Sequence, residues 1–554
     1  MPILNKWVGY VDRSYQQIKD SLISNLKVNA PEVTDHSESN ILIIIISMFS
    51  GIAEMLNYYI DNMAREAFIA TARRFSSLVK LSRLLDYRVK AASPASVDIT
   101  FTFNTPTTGV GIIPIDTMVK TQNNTQFLSI SNITVPLGTL SINGGFRQIS
   151  KINSRILGTT NGSLNQRFSL GLSYVHGSAL IKVNNVAWYL VNSLGLSVAT
   201  DKHFIVEIDT DGIAYVVFGD GINGAIPTSG YDVVADLQET LGELGNVDIN
   251  TITTIGNTPI LPGISSMSIT NLNKATGGSG YEDVERIRIS APLSIRTLDR
   301  AVTEQDYVDI AKLAPGVGKA KVYFNCGKTV KIYIVPIGGG IAATPLLDST
   351  RDFFEKRRML TTFLEILPAG QTSIYIELEV TAKFREDVTA TTNDIKNILL
   401  EYGSYIRQSI NKSIRISDII ALVDGLNKVD FVKQKAIYSI PYAFPMGHTN
   451  QLNWARKTNS GSTSKQKWSI QWTGSDFILY KGNMYAATLL PSSTYSDGNM
   501  DITPALGTYN LGDTWEFYSY PYNADIELDD FSIPFTQLSD LNILVIPQIF
   551  QPIE

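Results

Sequence analysis

Residues Ile41 to Ala53 read ILIIIISMFSGIA, thirteen positions without a charged side chain. No other stretch restricts the fold as much, because each large apolar side chain left in water forgoes roughly 1.5–3 kcal/mol of burial. Asp35, His36 and Glu38 precede the run and Glu54 closes it. Thirteen residues fall short of the roughly 20 that a helix needs to cross a bilayer, so the expectation is packing against other helices and no membrane insertion. Upstream, Tyr15, Ile18, Leu22, Ile23 and Leu26 recur at the spacing of one helix face, and Pro31 ends that segment. The longer helix is predicted from Ser39 to Arg74, with its 40–60 half apolar nearly all round. Residues 1–92 thus form a helical segment too short to cover its own apolar surface, which implies a partner helix. Ile41, Leu42, Ile45, Met48 and Phe49 are the residues expected at that interface.

At Ser93-Pro94 the period changes from helical to alternating. Val97, Ile99, Phe101 and Phe103 alternate with Ser96, Asp98, Thr100 and Thr102, the signature of a half-buried strand. Turn-rich short strands continue to about 275, giving a β-rich domain over 93–275. Residues 276–325 return to helical spacing: Thr303 and Asp306 form a helix-start box, and Pro315-Gly316 stops the helix. Strand and helix alternate over 326–440, predicted as a small α/β sandwich domain. Its longest strand sets Ile374, Ile376, Leu378, Val380, Ala382 and Phe384 on one face, with Tyr375, Glu377, Glu379, Thr381, Lys383 and Arg385 on the other. Residues 441–554 carry four of the six tryptophans (Trp454, Trp468, Trp472 and Trp515) and are predicted as an appended C-terminal β domain. The fold class expected is therefore multidomain α+β.

Chemistry finds little support. Lys plus Arg number 46 against 52 Asp plus Glu, a net charge of −6, so no global basic field points to nucleic acid. Cys326 is the only cysteine and the four histidines, His36, His176, His203 and His448, are scattered singly. Neither a metal site nor a catalytic triad follows from them, and no catalytic residue, metal or cofactor is expected. Asp209-Thr-Asp211-Gly212 lacks the further ligands of a calcium loop and reads as a hairpin turn. Gly277-Gly278-Ser279-Gly280 has no lysine at P-loop spacing and reads as a domain hinge. Trp468, Ile470 and Trp472 alternate like one face of a strand, favouring a core role over stacking on sugars or single strands. The N-terminus lacks a basic segment followed by an apolar one, so no secretory signal is read there and a cytoplasmic site of synthesis is expected.

Several motifs together carry a resemblance. Gly277-Gly278-Ser-Gly-Tyr-Glu-Asp-Val-Glu285 is followed by Ala291-Pro292, Arg296-Thr297, Arg300-Ala301-Val302-Thr303, Asp306-Tyr307 and Pro315-Gly316-Val317. Phe218-Gly219-Asp220-Gly221, with Gly224, Pro227 and Gly245-Asn246-Val247, forms a second motif. Thr34-Asp35, the apolar run, and Glu54, Tyr59, Asp61, Glu66 and Ala70 form a third. Together they resemble the baseplate J-like family, wedge proteins of contractile phage tails and related injection machines, over residues 1 to about 440.

The resemblance implies a non-enzymatic structural subunit of a sixfold baseplate. Each wedge would hold two copies of this chain plus a smaller helical wedge protein, bundled through the N-terminal helices. The more C-terminal domains would link neighbouring wedges into a ring, next to the sheath-initiating baseplate protein. Rearrangement of the baseplate would pass through such domains to trigger sheath contraction. The location implied is the virion tail baseplate, assembled in the host cytoplasm. On the residues alone, Gly219, Gly221 and Gly224 allow a sharp reversal held by Asp220, Thr303 and Asp306 cap a helix, and Arg296 and Arg300 are expected to pair with Glu282, Asp283 and Glu285. The competing expectation is a tail-associated carbohydrate-binding or carbohydrate-degrading protein, motivated by the tryptophans after Pro441.

Overall fold

The computed structural model describes residues 13–85, 87–324, 329–383 and 386–440, then 444–445, 454–459, 466–482, 484–496, 500–504, 514–519, 526, 532–535 and 541–547. Cys326, Phe384 and Arg385 lie outside the described residues. The protein is a mixed α+β chain with N-terminal helices and a β-rich body.

Helix α1 (Tyr15–Asn29) opens on a capping box. The Ser14 hydroxyl accepts from the Gln17 amide, and the Gln17 side chain accepts from the Ser14 amide at 3.0 Å. Helix α2 (Ile41–Glu66) starts at Asn40, whose side-chain oxygen accepts from the Leu42 amide at 2.9 Å. The helix predicted to reach Arg74 stops at Glu66 instead. Its last turn is satisfied from outside, since the Thr71 hydroxyl donates to the Arg65 carbonyl at 2.7 Å. The Glu66 carboxylate then accepts the Arg73 amide at 3.0 Å and sits at the start of α3 (Phe75–Leu84), which lacks a side-chain cap of its own.

Two large sheets and a two-stranded ribbon, Gly111–Ile113 with Ile133–Val135, build the β-rich body. In the six-stranded sheet, β1 (Ser96–Phe103) pairs antiparallel with β2 (Ser141–Arg147), and Val97, Ile99, Phe101 and Phe103 are buried with Phe127 and Phe146. The seven-stranded sheet encloses Trp188, Phe204, Val216 and Phe218, and Leu78 and Val79 of α3 enter the same core. The helical segment is thereby anchored to the second sheet through α3, while α1 and α2 are not part of that core. At 209–212 the chain makes the expected hairpin, the Gly212 amide donating to the Asp209 carbonyl at 3.0 Å.

Helices α4 (Val284–Thr297) and α5 (Glu304–Leu313) lead into the first of two α/β units. Its sheet runs β3 (Val317–Phe324), β4 (Thr329–Pro336), β5 (Phe363–Pro368), and α6 (Thr344–Glu355) connects β4 to the parallel β5. Tyr307, Ile310, Val330, Ile332, Phe354 and Ile366 form its core. In the second unit β6 (Gly370–Ala382) and β7 (Val429–Ile440) pair antiparallel around α7 (Val388–Tyr402) and α8 (Ile416–Asp424). Ile374, Ile376, Leu378, Val380 and Ala382 are all buried there.

The division at 440–441 differs from the sequence reading. On the side of β6 away from β7, the chain returns as β8 (Ser532–Phe535) and β9 (Leu541–Pro547), both parallel to β6. Leu541 and Val545 join the α7–α8 core, and Ile526 does too through paired backbone bonds with Ile414. The tryptophan-rich part is thus inserted into the second α/β unit, not appended after it. Parallel partners so distant in sequence leave no local turn or periodic signal, so nothing near residue 440 announces the return. Within the insert Trp468, Ile470, Trp472, Phe477 and Trp515 make a separate core in a five-stranded sheet.

Candidate assembly interface

Helix α2 is far longer than the apolar run that marks it. The run is the first half of a 26-residue helix, because past Glu54 apolar side chains resume with Met55, Leu56, Tyr58, Tyr59 and Ile60. By length and composition this helix is long and apolar enough to cross a membrane, whereas the thirteen-residue run by itself is not. Helix α1 lies along one side of it: the Tyr15 amide donates to the Glu54 carboxylate at 3.1 Å and Lys19 pairs with Glu38 at 3.5 Å. On α2 only Ile43, Ser50, Asp61 and Arg65 are buried, and Asp61 and Arg65 pair at 3.7 Å.

The opposite face is open. Ile41, Leu42, Ile45, Met48 and Phe49 are all exposed, and so are Ile52, Met55, Tyr59 and Met63. Ile41, Ile45, Met48, Ile52, Met55 and Tyr59 recur at alternating steps of four and three, the a/d seam of a coiled coil. A single exposed leucine is ordinary, but a contiguous seam of this length marks an interaction site. Such a row of side chains is a surface for another helix to pack into.

Behind the helices, the motif residues hold a turn and a joint: the Phe218 group forms a reversal inside the β-rich body, and the Gly277 group packs against Gly316 and Leu346 of the first α/β unit. Phe218 is buried at the end of its strand against Trp188 and Phe168. Gly219 follows, where any Cβ would collide with the Gly224 carbonyl, and the Gly221 amide donates to that carbonyl at 3.0 Å. Asp220 accepts from the amides of Asn223 (2.6 Å) and Ile222 (2.9 Å), which hold its carboxyl below the ordinary value. Gly277 and Gly278 do not form a free hinge. Ser93 and Ser279 exchange backbone bonds at 3.0 Å, and the Asn246 side chain bonds both the amide and the carbonyl of Gly278 at 2.9 and 2.8 Å. A Cβ at Gly278 would meet the Gly242 carbonyl, so the segment is clamped.

Thr303 and Asp306 form a reciprocal cap on α5: the Thr303 hydroxyl accepts from the Asp306 amide at 3.2 Å, and the Asp306 carboxylate accepts from the Thr303 amide at 2.9 Å. Tyr307 is buried and stacks on Phe354 with ring centroids 6.0 Å apart. Pro292 lies inside α4, and Arg300 closes the turn after it, its amide donating to the Thr297 carbonyl at 2.9 Å. The ion pairs expected of Arg296 and Arg300 are arranged differently. Arg296 reaches the buried Asp309 of α5, while Glu285 pairs with Arg288 at 2.6 Å.

The residues that sequence reasoning missed surround Glu282. Its buried carboxylate accepts the Tyr87 hydroxyl at 2.7 and 2.8 Å and the Lys90 amide at 3.3 Å, with the Arg286 guanidinium at 4.0 Å. Burial, and next Glu282 itself, push the Tyr87 phenol well up. The Lys90 ammonium donates to the Leu313 carbonyl, and burial brings it down to about 8. Arg286 donates to the Lys312 carbonyl at 3.2 Å and to that of Val317, while Arg288 donates to those of Ile69 (3.3 Å) and Ala72 (2.7 Å). Helix α4 therefore binds the end of the helical segment, the 87–90 linker and the α5 terminus at once. The i, i+4 spacing of Glu282 and Arg286 was visible in sequence, but its partners were not.

Glu282→Ala is expected to destabilise this junction by about 3–5 kcal/mol, because Tyr87, Lys90 and Arg286 lose a buried acceptor. Glu282→Gln keeps an acceptor for Tyr87 and is expected to cost less. Thermal unfolding of the full chain reads both, and wild-type melting of the alanine variant would rule out a keystone role.

A seam for helix packing in front and clamped joints behind are the features of an assembly subunit. Residues 14–84, which take in α1, α2 and α3, match the family described as bacteriophage baseplate protein, N-terminal domain. That match supports a structural role in a phage baseplate and a location in the virion tail baseplate. No curated protein matches the chain. Among solved structures, a chain of the anti-feeding prophage (AFP) baseplate, determined by cryo-EM with 6-fold symmetrisation, aligns with 11% identity and a TM-score of 0.27. The alignment covers 78% of this chain and 90% of that one.

Proposed function

We propose that this protein is a non-enzymatic wedge subunit of a contractile-tail baseplate, of the baseplate J-like type. The open a/d seam of α2 is the observation that carries the reading. In it, α2 bundles with a smaller helical wedge protein and with the same helix of a second copy, forming the wedge core. The α/β units and the inserted β part link neighbouring wedges and stand next to the sheath-initiating protein. Clamped joints suit this role, since domains that move as rigid bodies pass on a rearrangement instead of absorbing it. The chain is assembled in the host cytoplasm and acts in the virion.

The matched N-terminal family supports this reading, as does the clamped segment at Gly277 and Gly278. Sugar binding through the tryptophans has less to stand on, because Trp468, Trp472 and Trp515 are buried in the core of the insert. The side chain of Trp454 lies outside the described residues.

Contractile particles produced with an epitope tag on this chain, labelled with gold and imaged in negative stain, test the proposal. Label is expected at the baseplate, at positions repeated around the tail axis. Label along the sheath, or none on assembled particles, would refute it. Flotation of the full chain with phosphatidylcholine vesicles would instead assign α2 to a bilayer.

A further inference from the structure

The two α/β units are separated by a single residue. Strand β5 ends at Pro368 and β6 begins at Gly370, so Ala369 alone connects the two sheets, and it is buried. Its amide donates to the Ile334 carbonyl at 3.0 Å, which extends the β4–β5 ladder up to the residue before β6. A second tie comes from the turn after α7, where Tyr405 and Ile410 pack against Tyr333, Val335, Leu367 and Ala369. Two glycines of the first unit make room for the Tyr405 ring. A Cβ at Gly318 of β3 would coincide with the Tyr405 hydroxyl, and one at Gly339 would come within 3.2 Å of the Tyr405 Cβ. The Lys319 ammonium lies 4.4 Å from the centre of the same ring and donates to the Tyr405 and Gln408 carbonyls. Gln408 is buried, and its side-chain amide donates to the Tyr402 carbonyl at 2.5 Å, so the turn is also held from within.

Compact units joined through the chain ordinarily shift relative to each other unless their contact is extensive and apolar. We infer that these two do not: Tyr405, seated in the recess between Gly318 and Gly339 and held by Lys319, pins both α/β units into one rigid body. The recess gives the ring a single seat, because close-packed interiors do not deform continuously. Lys319 adds charge-assisted hydrogen bonds, which are stronger than neutral ones, and a cation beside the ring. Ala369 leaves no slack in the covalent link, since it belongs to the first sheet's ladder on one side and adjoins β6 on the other. These contacts are independent of the baseplate reading. Within that reading, a displacement applied to one α/β unit reaches the other undiminished, and the joint at Ala369 is not where the subunit bends.

Pulsed electron–electron distance measurement on the full chain tests the pin. Cys326→Ser removes the natural thiol, and Lys356→Cys at the end of α6 with Asn397→Cys on α7 places one nitroxide on each unit, both at exposed positions. A single narrow distance is expected, and Tyr405→Phe, which keeps the ring, is expected to preserve it. Tyr405→Ala empties the recess, and Gly318→Ala pushes the ring out of it. In both, the narrow distance is expected to be lost to a broad distribution while circular dichroism remains that of the folded chain. A narrow distance retained in Tyr405→Ala would overturn the inference, as would a broad one in the labelled parent. Should Tyr405→Ala fail to fold, a narrow distance in Gly318→Ala would overturn it equally.

Discussion

Ending the chain at residue 440 is expected to unfold the α7–α8 unit, leaving the rest folded. Truncation there removes β9, which runs beside β6 from Leu541 opposite Ile376 to Pro547 opposite Ala382. It also removes Leu541, Val545 and Ile526 from the core and exposes a central strand as an edge. At roughly 1.5–3 kcal/mol for each large side chain the burial lost is about 5–9 kcal/mol. That is comparable with the whole stability of a typical domain, about 5–15 kcal/mol. Limited proteolysis and hydrogen exchange of the truncated chain should show α7 and α8 unprotected while the 96–270 sheets remain protected. Slow exchange in α7 and α8 of that chain would show that the return strand is dispensable.

The second large effect concerns the seam of α2. The pair Ile45→Glu and Ile52→Glu is expected to leave the isolated chain folded, since both side chains face solvent there. In assembled particles the same pair should remove the protein almost completely. Two central anchors of an interface are lost, each worth about 2 kcal/mol or more, and two charges would be buried without partners. The combined loss exceeds about a thousandfold, at a factor of ten for every 1.4 kcal/mol. The check is the amount of the chain found in purified particles against an unchanged melting curve of the free protein. Normal incorporation of the doubly substituted chain would remove the seam from the assembly surface.

What could be read in advance was local. The alternation of Val97 to Phe103 and of Ile374 to Ala382 reflects one buried face of a strand, and neighbours a few residues apart suffice to reveal it. The Thr303–Asp306 box is a contact between residues three apart. The end of α2 was placed too late, at Arg74, because the helix stops at Glu66 through contacts with Thr71 and Arg73 that no period announces. Glu282 with Tyr87, Asp98 with Thr344, and β9 with β6 join residues remote in the chain. Such pairings depend on the finished topology, and no period or spacing encodes them.

The return of the chain to β6 has a further consequence. The insert departs where Ile440 faces Ser373, and comes back where Ser532 faces Gly370. Its two stems flank the same end of one strand, about two strand spacings or 10 Å apart. To the host sheet the stretch up to residue 525 is a single surface loop, and loops with adjacent ends tolerate replacement and changes of length. Residues 441–525 are therefore an exchangeable cassette, bounded on its return side by Ile526, which belongs to the host core and pairs with Ile414.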